Sequence, residues 1–150
     1  DLETAIVYYE KMKEILPNED IVNIRLQSAR KQIAGSAAYR VEKAINIFGL
    51  EQGVKIYNEM SKQKPEGIYF DEREFNSLGY RLITRGMTDA ALEVFKMNTE
   101  LYPESANVYD SLAELYMNQG NKELASKFYK KSLELNPKNE NAAKKLKELN

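Results

Sequence analysis

The sequence predicts an all-α fold, a right-handed superhelix built from antiparallel helical hairpins. Three observations carry that prediction. Apolar residues step by three and four through almost the whole chain, the spacing of one buried helix face. Glycine and proline are few and fall as punctuation, at Pro17, Gly35, Gly49, Pro65, Gly86, Pro103, Gly120 and Pro137. The text also repeats. A shift of 34 residues lays Phe75 on Tyr109, Leu78 on Leu112, Gly79 on Ala113 and Leu82 on Tyr116. It also lays Gly86 on Gly120, Ala91 on Ala125, Phe95 on Tyr129, Leu101 on Leu135 and Pro103 on Pro137. Each position keeps its class, whether aromatic, small, turn glycine or helix-stopping proline.

Taken in order, the first helix covers residues 2–16, where Ala5, Tyr9 and Met12 face inward and Pro17 stops it. The next stripe is Val22, Leu26, Ala29, Ile33, Ala37, Val41, Ala44 and Phe48. It keeps its phase through Gly35-Ser36. One helix from about 20 to 48 is the favoured reading, with Gly35 tolerated at about 1 kcal/mol; two helices broken at Gly35 are the alternative. Residues 50–63 then carry Gly53, Tyr57 and Met60 before Pro65, the same small–aromatic–apolar–proline order as the clear repeats. The β-rich triplet Ile68-Tyr69-Phe70 is too short for a sheet and reads as a loop plug. Two clear repeats follow, 72–105 and 106–139. Residues 139–149 form a Lys-rich amphipathic helix with Ala143, Leu146 and Leu149 inward, a polar cap of the kind that terminal repeats need.

Close packing explains the repeat. Two antiparallel helices approach closely only where a side chain is tiny, hence Gly79 and Ala113 on first helices and Ala91 and Ala125 on second helices. Gly86 and Gly120 supply the left-handed residue that a helix end requires. One hairpin cannot bury its face alone, so neighbours stack. The period and these positions resemble the tetratricopeptide repeat. The resemblance implies one helical domain over 1–150, with a degenerate repeat at about 34–67 and a partial repeat at 1–17.

Composition sets limits on chemistry. The chain has no Cys and no His, and a formal net charge of -1. Disulfides, thiolate metal sites and Ser-His or Cys-His nucleophile pairs are therefore excluded. Charge alternates in sign, acidic over 1–20 and 65–120 and basic over 21–64 and 121–150, which reads as solvated helix faces. No apolar run reaches the length of a membrane span. The acidic, amphipathic start lacks an initiator Met and reads as part of something longer.

Catalytic motifs are weak. Ser28-x-x-Lys31, Ser61-x-x-Lys64 and Tyr116-x-Asn118 match fragments of a penicillin-recognising signature, but Tyr116 belongs to the repeat core and Lys-Thr-Gly is missing. Asp71, Glu72 and Glu74 read as first-turn residues favoured by the helix dipole. Lys127, Lys130 and Lys131 lack interleaved aromatics for base stacking, so no nucleic-acid partner is expected. No catalytic residue, cofactor or metal ligand is assigned, and the chain is expected not to be an enzyme.

First helices in this repeat family line a concave groove that holds a peptide or protein partner. By that resemblance the face comprises Arg73, Asn76, Tyr80, Ile83 and Thr84, then Asn107, Asp110, Glu114, Met117 and Asn118, then Asn141 and Lys144. Packing of Tyr80 and Ile83 inside the stack is an equally good account of those two. The subgroup that clamps an acidic chaperone tail uses Lys and Asn at positions held here by Asn76, Tyr80, Asp110 and Ser111, so such a tail is not the expected ligand. Self-association into a homo-oligomer stays open.

About 50–143 also resembles a helical module that follows bacterial serine hydrolases, β-lactamase-like enzymes and α/β-hydrolase esterases. The marks are Tyr69-Phe70-Asp71, Glu74 to Tyr80, Val94 to Asn98 and Tyr102 to Leu112, including Asn76, Asn98 and Asn107 read as surface positions. That resemblance implies a non-enzymatic scaffold within a larger bacterial protein, or a structural or oligomerising C-terminal appendage of a hydrolase whose catalytic domain lies elsewhere.

Overall fold

A computed structural model describes residues 2–149. They divide into two compact units, one ending at Tyr69 and the other starting at Phe70. In the first, α1 (Leu2–Ile15) pairs with α2 (Asp20–Gly35), and α3 (Ala37–Phe48) pairs with α4 (Leu50–Gln63). In the second, α5 (Glu72–Thr84) pairs with α6 (Thr88–Leu101) and α7 (Ala106–Asn118) with α8 (Lys122–Leu135), while α9 (Glu140–Leu149) packs on α8. Among the described residues there is no β-strand beyond one isolated bridge, so the fold is an all-α helical repeat.

Local chemistry sets the helix ends. Asp71 caps α5 by accepting from the backbone amides of Arg73 and Glu74 at 2.9 and 3.0 Å. Asn121 caps α8 by accepting from Leu124 at 3.1 Å. The two clear hairpins turn identically. Gly86 and Gly120 take φ of 74° and 75°. The amide of Met87 reaches back to the Leu82 carbonyl, and that of Asn121 to Tyr116, both at 2.9 Å. Each is the six-to-one bond of a glycine-terminated helix, and it frees the next residue to start the return helix.

Helix approach follows the small residues. Gly79, Ala91, Ala113 and Ala125 are buried, as are the aromatic rings of Phe95 and Tyr129. A Cβ built on Gly79 would meet Phe95 Cε1, and would lie 2.6 Å from Cζ and 2.9 Å from Cδ1. Phe95 therefore lies against its own first helix, in the gap that glycine leaves. Gly53 repeats the device in the first unit, where an added Cβ would meet Ile45 Cγ1 and stand 3.2 Å from Cδ1.

Four expectations are corrected. The stripe over 20–48 belongs to two helices rather than one. Ser36 breaks it with ψ of 121°, and the Ser36 hydroxyl caps α3 by accepting from the Tyr39 amide at 3.1 Å. The plug at Tyr69 supplies the partners that make the break: its amide donates to the Gly35 carbonyl and its carbonyl accepts from Ala37, each at 3.0 Å. Phe48 is 70% exposed, because it ends α3 at the Gly49 turn, past the last buried residue of that helix, Ile45. In α9 the fully buried residue is Ala142, and Ala143, Leu146 and Leu149 are half-buried. The helix starts at Glu140 with Asn139 accepting from the Ala142 amide, which turns Ala142 onto α8. Asn98 is 0% exposed rather than a surface residue, because its side-chain amide donates to the Glu72 carbonyl at 3.0 Å.

Gly79→Ala is expected to lower stability by about 1–3 kcal/mol despite its better helix propensity, since Phe95 has no room to retreat. Urea unfolding checks this, and Phe95→Leu in the same chain should recover part of the loss.

Candidate functional site

Every residue expected on the first-helix face lies in the second unit, on α5, α7 or α9. Cross-helix hydrogen bonds join these helices along that face. The Tyr80 hydroxyl, on α5, donates to Glu114 Oε2 on α7 at 2.6 Å and lies 3.4 Å from Ser111 Oγ. Asn107 Nδ2, on α7, donates to Glu72 Oε1 on α5 at 3.0 Å. Asn141 Nδ2, on α9, donates to Asp110 Oδ2 on α7 at 2.9 Å. Three separate cross-helix pairs thus tie α5 to α7 and α7 to α9 along that face.

Burial distinguishes the members. Tyr80 is 38% exposed, and its ring meets Phe95 edge-on with centroids 5.3 Å apart. The aromatic is anchored beneath and open above. Asp110, Glu114, Met117, Ile83 and Asn76 are half-buried. Met117 leans into the stack, where Tyr129 Oη stands 3.9 Å from its sulfur. Asn76 Oδ1 is a buried acceptor without a partner, and so is Asn98 Oδ1. Arg73, Thr84, Asn118 and Lys144 are exposed. The Arg73 and Lys144 side chains make no ion pair among the described residues and take no part in these pairs.

The electrostatics of the surface are acidic. Glu72, Asp110 and Glu114 accept hydrogen bonds from neutral donors and are not ion-paired among the described residues. Tyr80 is pushed up from 10.0 to about 12, chiefly by burial and then by its hydrogen bond to Glu114, since ionising the phenol would set two negative charges side by side. Burial also raises Tyr129, with Asp110 and Glu114 adding to it. Tyr102 rises through burial and the nearby Asp71, Glu72 and Glu74.

Four contributors escaped the sequence reading. Beyond its place in the first turn of α5, Glu72 holds Asn107 with its side chain and Asn98 with its carbonyl. Asn139 bridges Asp110 Oδ1 at 3.2 Å and Ser132 Oγ at 2.9 Å. The signal for Ser132 was present, because it lies one period after Asn98 and both are buried polar residues. Phe128 stacks on Tyr109 and Tyr116 and has Lys127 Nζ 5.6 Å above its ring, so an aromatic does neighbour the basic residues of α8. Its face is engaged by those tyrosines. Among the described residues no group of three or more carboxylates is placed to hold a metal ion, and no helix is long and apolar enough to cross a membrane.

Residues 106–139, which hold α7 and α8, match the family model of the tetratricopeptide repeat. No curated protein sequence matches the chain. Among solved structures the fold is similar to that of MamA, with 16% identity and a TM-score of 0.54 over 99% of this chain and 77% of that one. It is also similar to pilF of Pseudomonas aeruginosa, with 18% identity and a TM-score of 0.53 over 99% of this chain and 68% of that one. The TPR domain of P58(IPK) gives 13% identity and a TM-score of 0.52, over 99% of this chain and 41% of that one. At these identities the likeness is one of fold. The chain therefore contains a tetratricopeptide repeat within an all-α repeat architecture.

Alkaline titration tests the surface chemistry. The difference in phenolate absorbance between the wild type and Tyr80→Phe should titrate near pH 12, and Glu114→Gln should move that midpoint down while burial keeps it above 10. Because folding raises this pKa, the stability contributed by neutral Tyr80 is full below pH 10 and is lost as pH climbs through about 12.

Proposed function

We propose that the chain is a non-enzymatic scaffold whose second unit docks a peptide or protein partner on the α5–α7–α9 face. The observation that carries this reading is the partly exposed Tyr80, fixed from below by Phe95 and hydrogen-bonded across helices to Glu114. Rigid aromatics with a free face lose little entropy on contact, which favours them at interfaces. Around Tyr80 the polar atoms are mainly acceptors, on Glu72, Asn76, Asp110 and Glu114. Such a face suits a partner that brings N–H donors or cationic side chains, and disfavours an acidic tail. The tetratricopeptide match over α7 and α8 supports an interaction role.

A second reading makes the chain a structural or oligomerising appendage within a larger bacterial protein, such as a serine hydrolase. It is favoured by the large apolar residues exposed in the first unit, among them Ile15, Ile24 and Phe48, together with the sequence resemblance over about 50–143. These residues lie outside the α5–α7–α9 face.

The readings separate in one pair of measurements. Immobilised protein is expected to capture a partner that Tyr80→Ala with Asn107→Ala releases by tenfold or more, while light scattering shows a monomer. Capture insensitive to that double variant, or none at all with concentration-dependent self-association, would overturn the docking reading and favour the appendage.

A further inference from the structure

We propose that Ser36 is a one-bond hinge in the first unit, and that the Pro65–Tyr69 segment is a latch holding it bent. Unlatched, α2 and α3 fuse into one helix running from Asp20 to Phe48. The apolar stripe already runs in phase through the break, so the sequence supports the straight form as well as the bent one.

Backbone geometry places the two states close together. Ser36 has φ of -69°, already helical, and only its ψ of 121° departs from the α-region. No residue at the break has positive φ; Gly35 is absent from the left-handed residues, unlike the turn glycines 49, 86 and 120. Rotation about a single bond therefore separates bent from straight.

The hydrogen bonds exchange one for one. In the bent state the last four carbonyls of α2 are all satisfied. The Tyr69 hydroxyl donates to Gln32 at 3.2 Å, the Ser36 amide to Ile33 at 3.1 Å, Arg40 Nε to Ala34 at 2.8 Å and the Tyr69 amide to Gly35 at 3.0 Å. In a continuous helix the amides of Ser36, Ala37, Ala38 and Tyr39 would serve the same four carbonyls. Neither state leaves one of these four carbonyls orphaned, so their bonding alone does not choose between the two.

The latch chooses. Tyr69 takes part in three of the bonds at the break, donating two to α2 and accepting one at its carbonyl from the Ala37 amide. Gly35 lets the segment approach, since an added Cβ would lie 2.7 Å from the Gly67 carbonyl oxygen. Ser36, Ala37 and Ala38 at the break are buried. Whatever takes up or displaces the 65–69 segment thereby resets the angle between the α1–α2 and α3–α4 hairpins.

The chain has no Cys, so spin labels at Gln27→Cys and Lys43→Cys, both exposed, report the angle directly. A continuous helix sets these positions about 24 Å apart along its axis, and any bend brings them closer. Gly35→Ala with Ser36→Ala removes the docking gap and the α3 cap, and should shift the distance distribution to about 24 Å without loss of helical ellipticity. An unchanged distribution in a folded variant would overturn the hinge. Hydrogen exchange on the wild type gives an independent arm. The Tyr69 amide should exchange at least tenfold faster than that of Ala37, which passes to the Ile33 carbonyl on straightening; one common rate for both would mean that no straight state is visited.

Discussion

The architecture depends on glycine and alanine at the points where paired helices touch. Phe95 occupies space that a single methyl on Gly79 would contest, and Ile45 does the same at Gly53. Close approach lets an aromatic ring reach full burial, which removes roughly 150–250 Å² of mostly apolar surface per ring from water. It also fixes the register of each hairpin, because sliding by one residue would put a side chain where the ring lies. The effect reaches the surface. The Phe95 ring that fills the Gly79 gap also meets the neighbouring Tyr80 edge-on and holds it upright between α5 and α7. Core packing and candidate site are joined through two consecutive residues, Gly79 and Tyr80.

Legibility in the sequence follows the same constraint. The 34-residue echo located α5 to α8, their turns and their small residues, because each of these is a steric requirement met by a narrow choice of amino acids. What lacked such a requirement was misread. The break at Ser36 carries no proline and no left-handed residue, and its partners come from Tyr69, far along the chain. Periodicity sees only neighbours in sequence, so the stripe looked continuous. Phe48 and Asn98 failed for opposite reasons. An apolar residue at the last position of a helix can overshoot its core, and a polar one can be buried when a carbonyl such as that of Glu72 is left to receive it.

The polar face shows what a repeat can and cannot announce. Tyr80 and Glu114 lie one period apart, so they are equivalent positions on neighbouring hairpins, and stacking brings such positions side by side. The period therefore placed the candidate residues on one face. It did not reveal which of them would spend their hydrogen bonds internally. Glu72, Ser132 and Asn139 became structural partners through geometry peculiar to each hairpin. The outcome is a surface whose carboxylates are held by neutral amides and a phenol. Among the described residues these carboxylates form no ion pair, and burial with the hydrogen bond to Glu114 keeps Tyr80 protonated.

Two kinds of helix ending coexist in this chain, and they differ in reversibility. At Gly86 and Gly120 the backbone enters the left-handed region, and the amides of Met87 and Asn121 bond back across the turn. Undoing either end would require the glycine to leave the left-handed region and would forfeit that six-to-one bond. At Ser36 the φ is already helical and each carbonyl has a second suitor in the following amides. A glycine-terminated end is closed by its own sequence, whereas the end at Ser36 is closed by a segment that must be docked from elsewhere. Local chemistry thus fixes the turns of the clear hairpins, and a long-range contact, open to competition, fixes the break where the α1–α2 and α3–α4 hairpins meet.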